Sequence, residues 1–372
     1  MTESIQCAVI GAGAIGLAIA REMAVRGHEV IVLEESDAIG SDTSSRNSEV
    51  VHAGIYYPTG SLKAKMCVEG RGQLYEYFDS HGVGYDRCGK LIVATDDAQV
   101  GKLEAIKAKA EANGVMDLEW LDGAQAVAME PNLRAKAALY SPSSGIMDSH
   151  RLMLAYQGDL EDNSGMVAFL SPVWGGRLEN GAKVISVHGD EPMDLACDII
   201  INSAGLGAQA LSTSFEFLPQ DTIPSRYLAK GTYFTLTGRA PFSRLVYPIP
   251  EDGGLGVHLS LDLGGQARFG PDVEWIEEIN YDVDPARAEL FYAAIRTYWA
   301  DLADGALQPG YTGVRPKVSP QGAPDADFMI HGPETHGVAG LVNLYGMVSP
   351  GLTSSMAIAN HVATMWGERL VI

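Results

Sequence analysis

An α/β fold in two domains is the expectation for this chain, and three observations carry it. A buried strand, a glycine turn and a helix open the sequence; apolar strand-like runs of the same kind return twice much later; and between those returns the texture changes to short alternating runs split by turn residues. The first describes a βαβ unit with a phosphate-binding turn, the second a parallel sheet assembled from separated segments, and the third an antiparallel sheet. The predicted plan is a Rossmann-like dinucleotide-binding domain into which an α+β domain, built on an antiparallel sheet, is inserted.

The opening unit is the most specific. Cys7-Ala8-Val9-Ile10 reads as a buried parallel strand and Leu17 to Val25 as the helix after it, with Gly11, Gly13 and Gly16 supplying G-x-G-x-x-G at the joint. The first glycine allows the tight turn, the second lets a pyrophosphate approach the backbone, and the third lets helix and strand pack closely. The helix N-terminus offers unpaired N–H groups and a positive dipole end to the phosphates. Glu29-Val30-Ile31-Val32-Leu33 is the second strand, and Glu34 stands where a carboxylate would bind a ribose diol. Strand, helix, strand and acid in this order point to dinucleotide binding, but they do not separate FAD from NAD.

Further along, Ser36 to Ser61 is too rich in Ser, Asn and Gly for a simple strand. Lys63 to Gly82 has helical spacing, with Leu74, Tyr77 and Phe78 on one side. Leu91 to Ala94 is a short strand, Val100 to Ala112 a solvent-facing helix, and Leu152 to Leu160 helical again. Asp198 to Gly205 and Gly340 to Gly346 are the returning strands of the first domain; a helix from Leu352 to about Met365 follows, capped by Ser349 or Thr353 after the Pro350-Gly351 turn. Gly231–Thr237, Arg244–Ile249 and Leu255–Leu261 form the expected antiparallel sheet, with a helix from Pro285 to Trp299 laid against it.

Composition narrows the function. A formal net charge of −21 argues against nucleic acid, which needs a concentrated basic surface. No apolar run approaches the ~18–20 residues that span a bilayer, so no transmembrane segment is expected. The glycine motif so near the start leaves no room for a signal peptide ahead of it, which predicts a cytoplasmic location or a peripheral one at the inner face of the membrane. Cys7, Cys67, Cys88 and Cys197 form no C-x-x-C, and no metal site or disulfide framework is predicted.

Several stretches then resemble a known family. Asn47-Ser48-Glu49-Val50-Val51-His52-Ala53-Gly54-Ile55-Tyr56-Tyr57-Pro58 with Gly60-Ser61-Leu62-Lys63-Ala64 is the most specific, supported by Gly89 to Thr95, Gly256-Val257-His258, Gly313-Val314-Arg315-Pro316-Lys317 and Ser349 to Thr353. The chain resembles the FAD-dependent oxidoreductases of the D-amino-acid oxidase and glycine oxidase superfamily, and within it is most similar to the L-2-hydroxyglutarate dehydrogenase-like branch. The resemblance implies FAD as cofactor, in a glutathione-reductase-like domain over residues 1–88, 143–210 and 305–372, with a substrate domain over 89–142 and 211–304. It implies that Gly11, Gly13, Gly16 and Glu34 hold the ADP half, that Ser44, Ser45, Arg46, Asn47 and Ser48 run along the pyrophosphate, and that Gly205 also serves the cofactor. Gly346 and the turn of Ser349, Gly351, Leu352 and Thr353 would reach the isoalloxazine ring. Reduction places negative charge near flavin N1 and the C2 carbonyl, and a helix beginning at Leu352 would offer donors there. One departure stands out: the branch is expected to have His-Asn-Ser-Gly where this chain has Arg46-Asn47-Ser48-Glu49, and an acidic side chain there bears on substrate shape or repels a second carboxylate.

For the reaction, Arg315 is implied as the clamp on a substrate carboxylate, with two parallel hydrogen bonds; Lys317 would assist or be solvated. His258 is the expected base for a hydroxyl proton as hydride leaves for flavin N5. His52 contacts flavin or substrate, or braces its loop. Lys230 and Tyr233 project from the inserted sheet, though alternation turns only one of them inward. The expected activity is oxidation of a small 2-hydroxy acid to the 2-oxo acid. An amine-directed oxidase of glycine-oxidase type and a non-catalytic flavin-binding redox protein are the rivals. The second electron acceptor is left open between oxygen, a quinone and an electron-transfer protein.

Overall fold

The computed structural model describes residues 2–249 and 256–366, which divide into two units. The first runs to Ser45, resumes over Ser149–Leu228 and continues from Arg315; the second comprises Arg46–Asp148 and Ala229–Val314. Each unit is assembled from separated segments of the chain. Residues 46–88, expected with the cofactor domain, belong to the second unit, because Val50 and Ile146 pack into its core and Ala53 and Ile55 into the cluster around Ile92 and Leu139.

The first unit is built on an eight-stranded mixed sheet: six strands run in the order Val173–Glu179, Ala182–Val187, Met193–Asn202, Thr2–Ile10, Val30–Leu33, Met166–Ala168, and Leu341–Tyr345, then Met329–His331, branch from Met193–Asn202. The central pairs are parallel, as the buried runs Cys7 to Ile10 and Ile199 to Ile201 demand of strands covered on both faces. The free edge of Met193–Asn202 is shared between antiparallel Ala182–Val187 and parallel Leu341–Tyr345. A buried polar network holds that return in place. Asn202 Nδ2 donates to Ser212 Oγ at 2.9 Å and to Asn343 Oδ1 at 3.1 Å, and the Ser212 and Tyr345 hydroxyls are 2.7 Å apart. Helix Ala14–Val25 packs on Ser149–Asp162 and Ser355–Ala363, and Tyr156 Oη and Ser355 Oγ share a hydrogen bond of 2.9 Å.

The second unit carries a nine-stranded sheet, not purely antiparallel as expected: strand Lys90–Ala94 pairs in parallel with Leu245–Pro248 and antiparallel with Ala137–Ser141. The long hydrophobic core on one face includes Leu91, Val93, Val246, Leu259, Phe269, Phe234 and Phe291. Helix Leu62–His81 begins at the Ser61 cap, whose hydroxyl accepts from Ala64 N–H, and stops at Gly82 with φ +63. The expected helix at 285–299 is a 3₁₀ turn, Pro285–Arg287, followed by a helix only over Ala288–Ile295. Among the described residues no helix is long and apolar enough to cross a membrane.

Candidate active site

In the first unit a cavity of about 430 Å³ opens at the carboxyl ends of the parallel strands, lined among others by Ile10, Gly11, Gly13, Leu33, Glu34, Ser44, Ser203, Gly205 and Gly346. This is where open α/β sheets bind their ligands. The three motif glycines divide the labour as their spacing predicts. Gly11 has φ +100, and a Cβ there would stand 2.8 Å from the Ser203 carbonyl oxygen. A Cβ on Gly16 would stand 2.0 Å from the Gly11 carbonyl oxygen, so strand and helix touch backbone to backbone. A Cβ on Gly13 would meet only the Ser44 hydroxyl, at 3.0 Å; this glycine keeps the cavity wall open.

Glu34 is buried, and its carboxylate accepts from Ala12 N–H at 2.7 Å through one oxygen and from Ser36 N–H at 2.9 Å through the other. Each oxygen keeps a second lone-pair direction for a ribose hydroxyl. Ser44 Oγ accepts from Ala14 N–H at 3.0 Å, at the first turn of the motif helix. A glycine cradle that any side chain would fill, a fixed carboxylate beside it and a helix N-terminus at its floor fit the ADP portion of FAD.

Other expected cofactor residues are not among those that line the cavity. Ser45 is exposed and bonds the Asp42 carbonyl, while Arg46, Asn47 and Ser48 belong to the second unit. The Arg46 guanidinium lies over the Tyr281 ring at 4.2 Å, and Asn47 Oδ1 accepts from Glu49 N–H at 2.8 Å. The turn holding Ser349, Gly351, Leu352 and Thr353 is in the first unit, but the helix after it starts at Ser355, not at Leu352. Neither Ser349 nor Thr353 caps it. Pro350 O instead accepts from Ser354 N–H at 2.9 Å, which prolongs the turn by three residues.

The second unit gathers a different set. His258 does not lie on a strand: the described strand is Leu259–Leu261, and Leu255, where the expected run begins, is outside the described residues. The His258 ring stacks on Tyr247 with centroids 3.7 Å apart and planes 7° from parallel. His52 is held well below the usual histidine range by burial, then by Lys90 and His258. Lys90, to which the sequence reading assigned no role, is 1% exposed; its ammonium stands 4.6 Å from the centre of the Tyr247 ring and 5.5 Å from that of Tyr56. A lysine leading five consecutive buried positions, Lys90 to Ala94, was the signal available for it.

Lys230 and Tyr233 part company as alternation requires: Lys230 Nζ donates to Asn280 Oδ1 at 3.4 Å, whereas Tyr233 stacks on Tyr311 at 4.6 Å. Glu49 adopts φ +55, a conformation that suits glycine, and its carboxylate accepts from Arg268 Nη1 at 3.1 Å. The departure at Glu49 is thus compensated by a guanidinium within the same unit. Arg315 is half-buried near the end of strand Leu307–Lys317, at the residue where the first unit resumes, and Lys317 pairs with Asp325. Gly313, two residues earlier, admits no side chain, because a Cβ would stand 2.1 Å from the Arg46 carbonyl oxygen.

The chain is 46% identical to the mitochondrial L-2-hydroxyglutarate dehydrogenase of Arabidopsis thaliana, over 97% of this chain and 83% of that protein. It is 28% identical to the L-2-hydroxyglutarate dehydrogenase of Escherichia coli K12, over 96% of this chain and 92% of the other. Its fold is similar to that of FAD-bound L-alpha-glycerophosphate oxidase from Mycoplasma pneumoniae (TM-score 0.86, 22% identity, 96% and 94% of the two chains). It is also similar to glycine oxidase from Geobacillus kaustophilus (TM-score 0.80, 21% identity, 97% and 94%). The family model for FAD dependent oxidoreductases, DAO, matches residues 6–365, and the chain belongs to that family.

Proposed function

We propose that this chain oxidises L-2-hydroxyglutarate, or a close 2-hydroxy dicarboxylate, to the 2-oxo acid. The observation that carries this reading is 46% identity to a plant L-2-hydroxyglutarate dehydrogenase over nearly the whole chain. In it, the first unit is the FAD-binding domain and the second the inserted substrate domain. Gly11, Gly13, Gly16, Glu34 and Ser44 hold the ADP portion. Bound FAD supplies the two-electron acceptor for the hydride that leaves C2.

The chain's own residues supply orientation and proton transfer. Arg315 clamps the C1 carboxylate with two parallel hydrogen bonds. The hydroxyl proton goes to His258. His52, held well below the usual histidine range by burial first and then by Lys90 and His258, stays neutral beside it. As the C2–H bond breaks with its electron pair and the O–H bond gives up its proton, C2–O becomes a carbonyl. The Tyr247 ring fixes the plane of His258.

Anaerobic mixing of the purified protein with L-2-hydroxyglutarate tests the reading. Bleaching of the flavin with one 2-oxoglutarate formed per flavin is expected. Bleaching by glycine or other amino acids and not by 2-hydroxy acids would replace it with an amine-directed reaction.

A further inference from the structure

Lys90 occupies a position where a cation has no evident structural purpose. It heads a central strand, between Ala137–Ser141 and Leu245–Pro248, in a run of five buried residues. Among the described residues no carboxylate pairs with it; its ammonium faces the rings of Tyr247 and Tyr56. Burial lowers its pKa to about 8, which leaves it mainly charged at neutral pH. Methionine would fill a comparable volume against the same rings without desolvating a charge. A buried ammonium with no carboxylate partner among the described residues is therefore a site that an arriving anion would complete.

The surroundings say where that anion stands. Lys90 is the leading charged influence on His52, and it shares the Tyr247 ring with His258. The ammonium and the His258 ring thus meet at Tyr247, and both act electrostatically on His52. Glu49, the nearby-in-sequence acid that would repel a second carboxylate, is engaged by Arg268.

We propose that Lys90 binds the distal carboxylate of a dicarboxylate substrate and so sets the preference for 2-hydroxy dicarboxylates over 2-hydroxy monocarboxylates. This rests on the oxidation proposed above. Lys90 would be a specificity residue, not a proton carrier.

The test titrates the FAD-loaded wild type, Lys90→Met and Lys90→Arg with glutarate and with butyrate, reading the perturbation of the visible flavin spectrum. The wild type is expected to bind glutarate more tightly. In Lys90→Met the glutarate-over-butyrate preference should fall by about 30-fold, the worth of one charge-assisted hydrogen bond, and Lys90→Arg should retain most of it. A wild type without preference, or a Lys90→Met variant that keeps it, overturns the proposal. If the preference depends on Lys90 while L-2-hydroxyglutarate leaves the flavin oxidised, the anion site stands and the proposed reaction falls.

Discussion

Gly16 and Gly13 sit three residues apart in one turn, yet adding a single methyl to each should have opposite consequences. At Gly16 the new Cβ would stand 2.0 Å from the Gly11 carbonyl oxygen and 2.6 Å from Ser203 Oγ. Backbone on one side and a hydroxyl bonded to Ile10 O on the other leave nothing that yields cheaply. Helix Ala14–Val25 would have to move off strand Thr2–Ile10, disturbing the buried Leu17, Ala18 and Ile19. Overpacking of this kind costs about 3 kcal/mol, the upper end of its usual range. Replacing glycine by alanine in a helix returns at most about 1 kcal/mol. Gly16→Ala should therefore destabilise the apoprotein by about 2 kcal/mol.

At Gly13 the Cβ meets only Ser44 Oγ at 3.0 Å, which a few tenths of an ångström relieve. Apoprotein stability should change by less than about 0.5 kcal/mol. The methyl instead projects toward the cavity wall, where the diphosphate must approach, and FAD affinity should drop at least about 10-fold, or roughly 1.4 kcal/mol. Thermal unfolding of the apoproteins and FAD titration by flavin fluorescence read the two quantities separately. An apo Gly16→Ala as stable as wild type, or a Gly13→Ala that binds FAD normally, would refute the division of roles among the glycines.

Three further outcomes are expected. Arg315→Leu should raise the KM for the carboxylate substrate about 100-fold while FAD stays bound, and an unchanged KM would remove Arg315 from the substrate site. Glu49→Gly should be more stable than Glu49→Ala by about 1 kcal/mol, because both lose the partly exposed Arg268 pair but only glycine relieves φ +55; the reverse order of melting temperatures would contradict this. His52, facing Lys90 and His258, has a folded pKa well below 6.5, so the unfolded chain binds its proton first and stability falls as pH drops below that value. His52→Asn should flatten this part of the melting-temperature profile, and an identical acid limb in the variant would count against it.

The geometry of the glycine turn was legible in the sequence because its physics is local. Gly11, Gly13, Gly16 and Glu34 lie within one βαβ unit, where spacing alone determines which glycine turns, which packs and which stays open. The returning strands were legible for a related reason: runs such as Ile199 to Ile201 are buried on both faces and read as parallel-sheet interior. The start of the last helix was not, since the turn runs on to Ser354 through backbone hydrogen bonds, among them Ser354 N–H to Pro350 O and Ser355 N–H to Leu352 O, that leave no compositional trace. The polar cluster of the second unit was hidden more deeply. His52, Lys90, Tyr247 and His258 come from four separate segments, and only the sheet register brings Tyr247 opposite His258. Lys90 in particular looked like the flank of a strand, and only its full burial without a carboxylate marks it.

The central claim is that the glycine cradle holds FAD for the oxidation of a 2-hydroxy dicarboxylate. Its most direct test is the visible spectrum of the purified protein during anaerobic titration with L-2-hydroxyglutarate. The account predicts a yellow protein whose flavin band disappears as 2-oxoglutarate accumulates, one for one. A colourless protein that takes up no FAD on reconstitution, or a flavin that dithionite reduces and L-2-hydroxyglutarate does not, would contradict it.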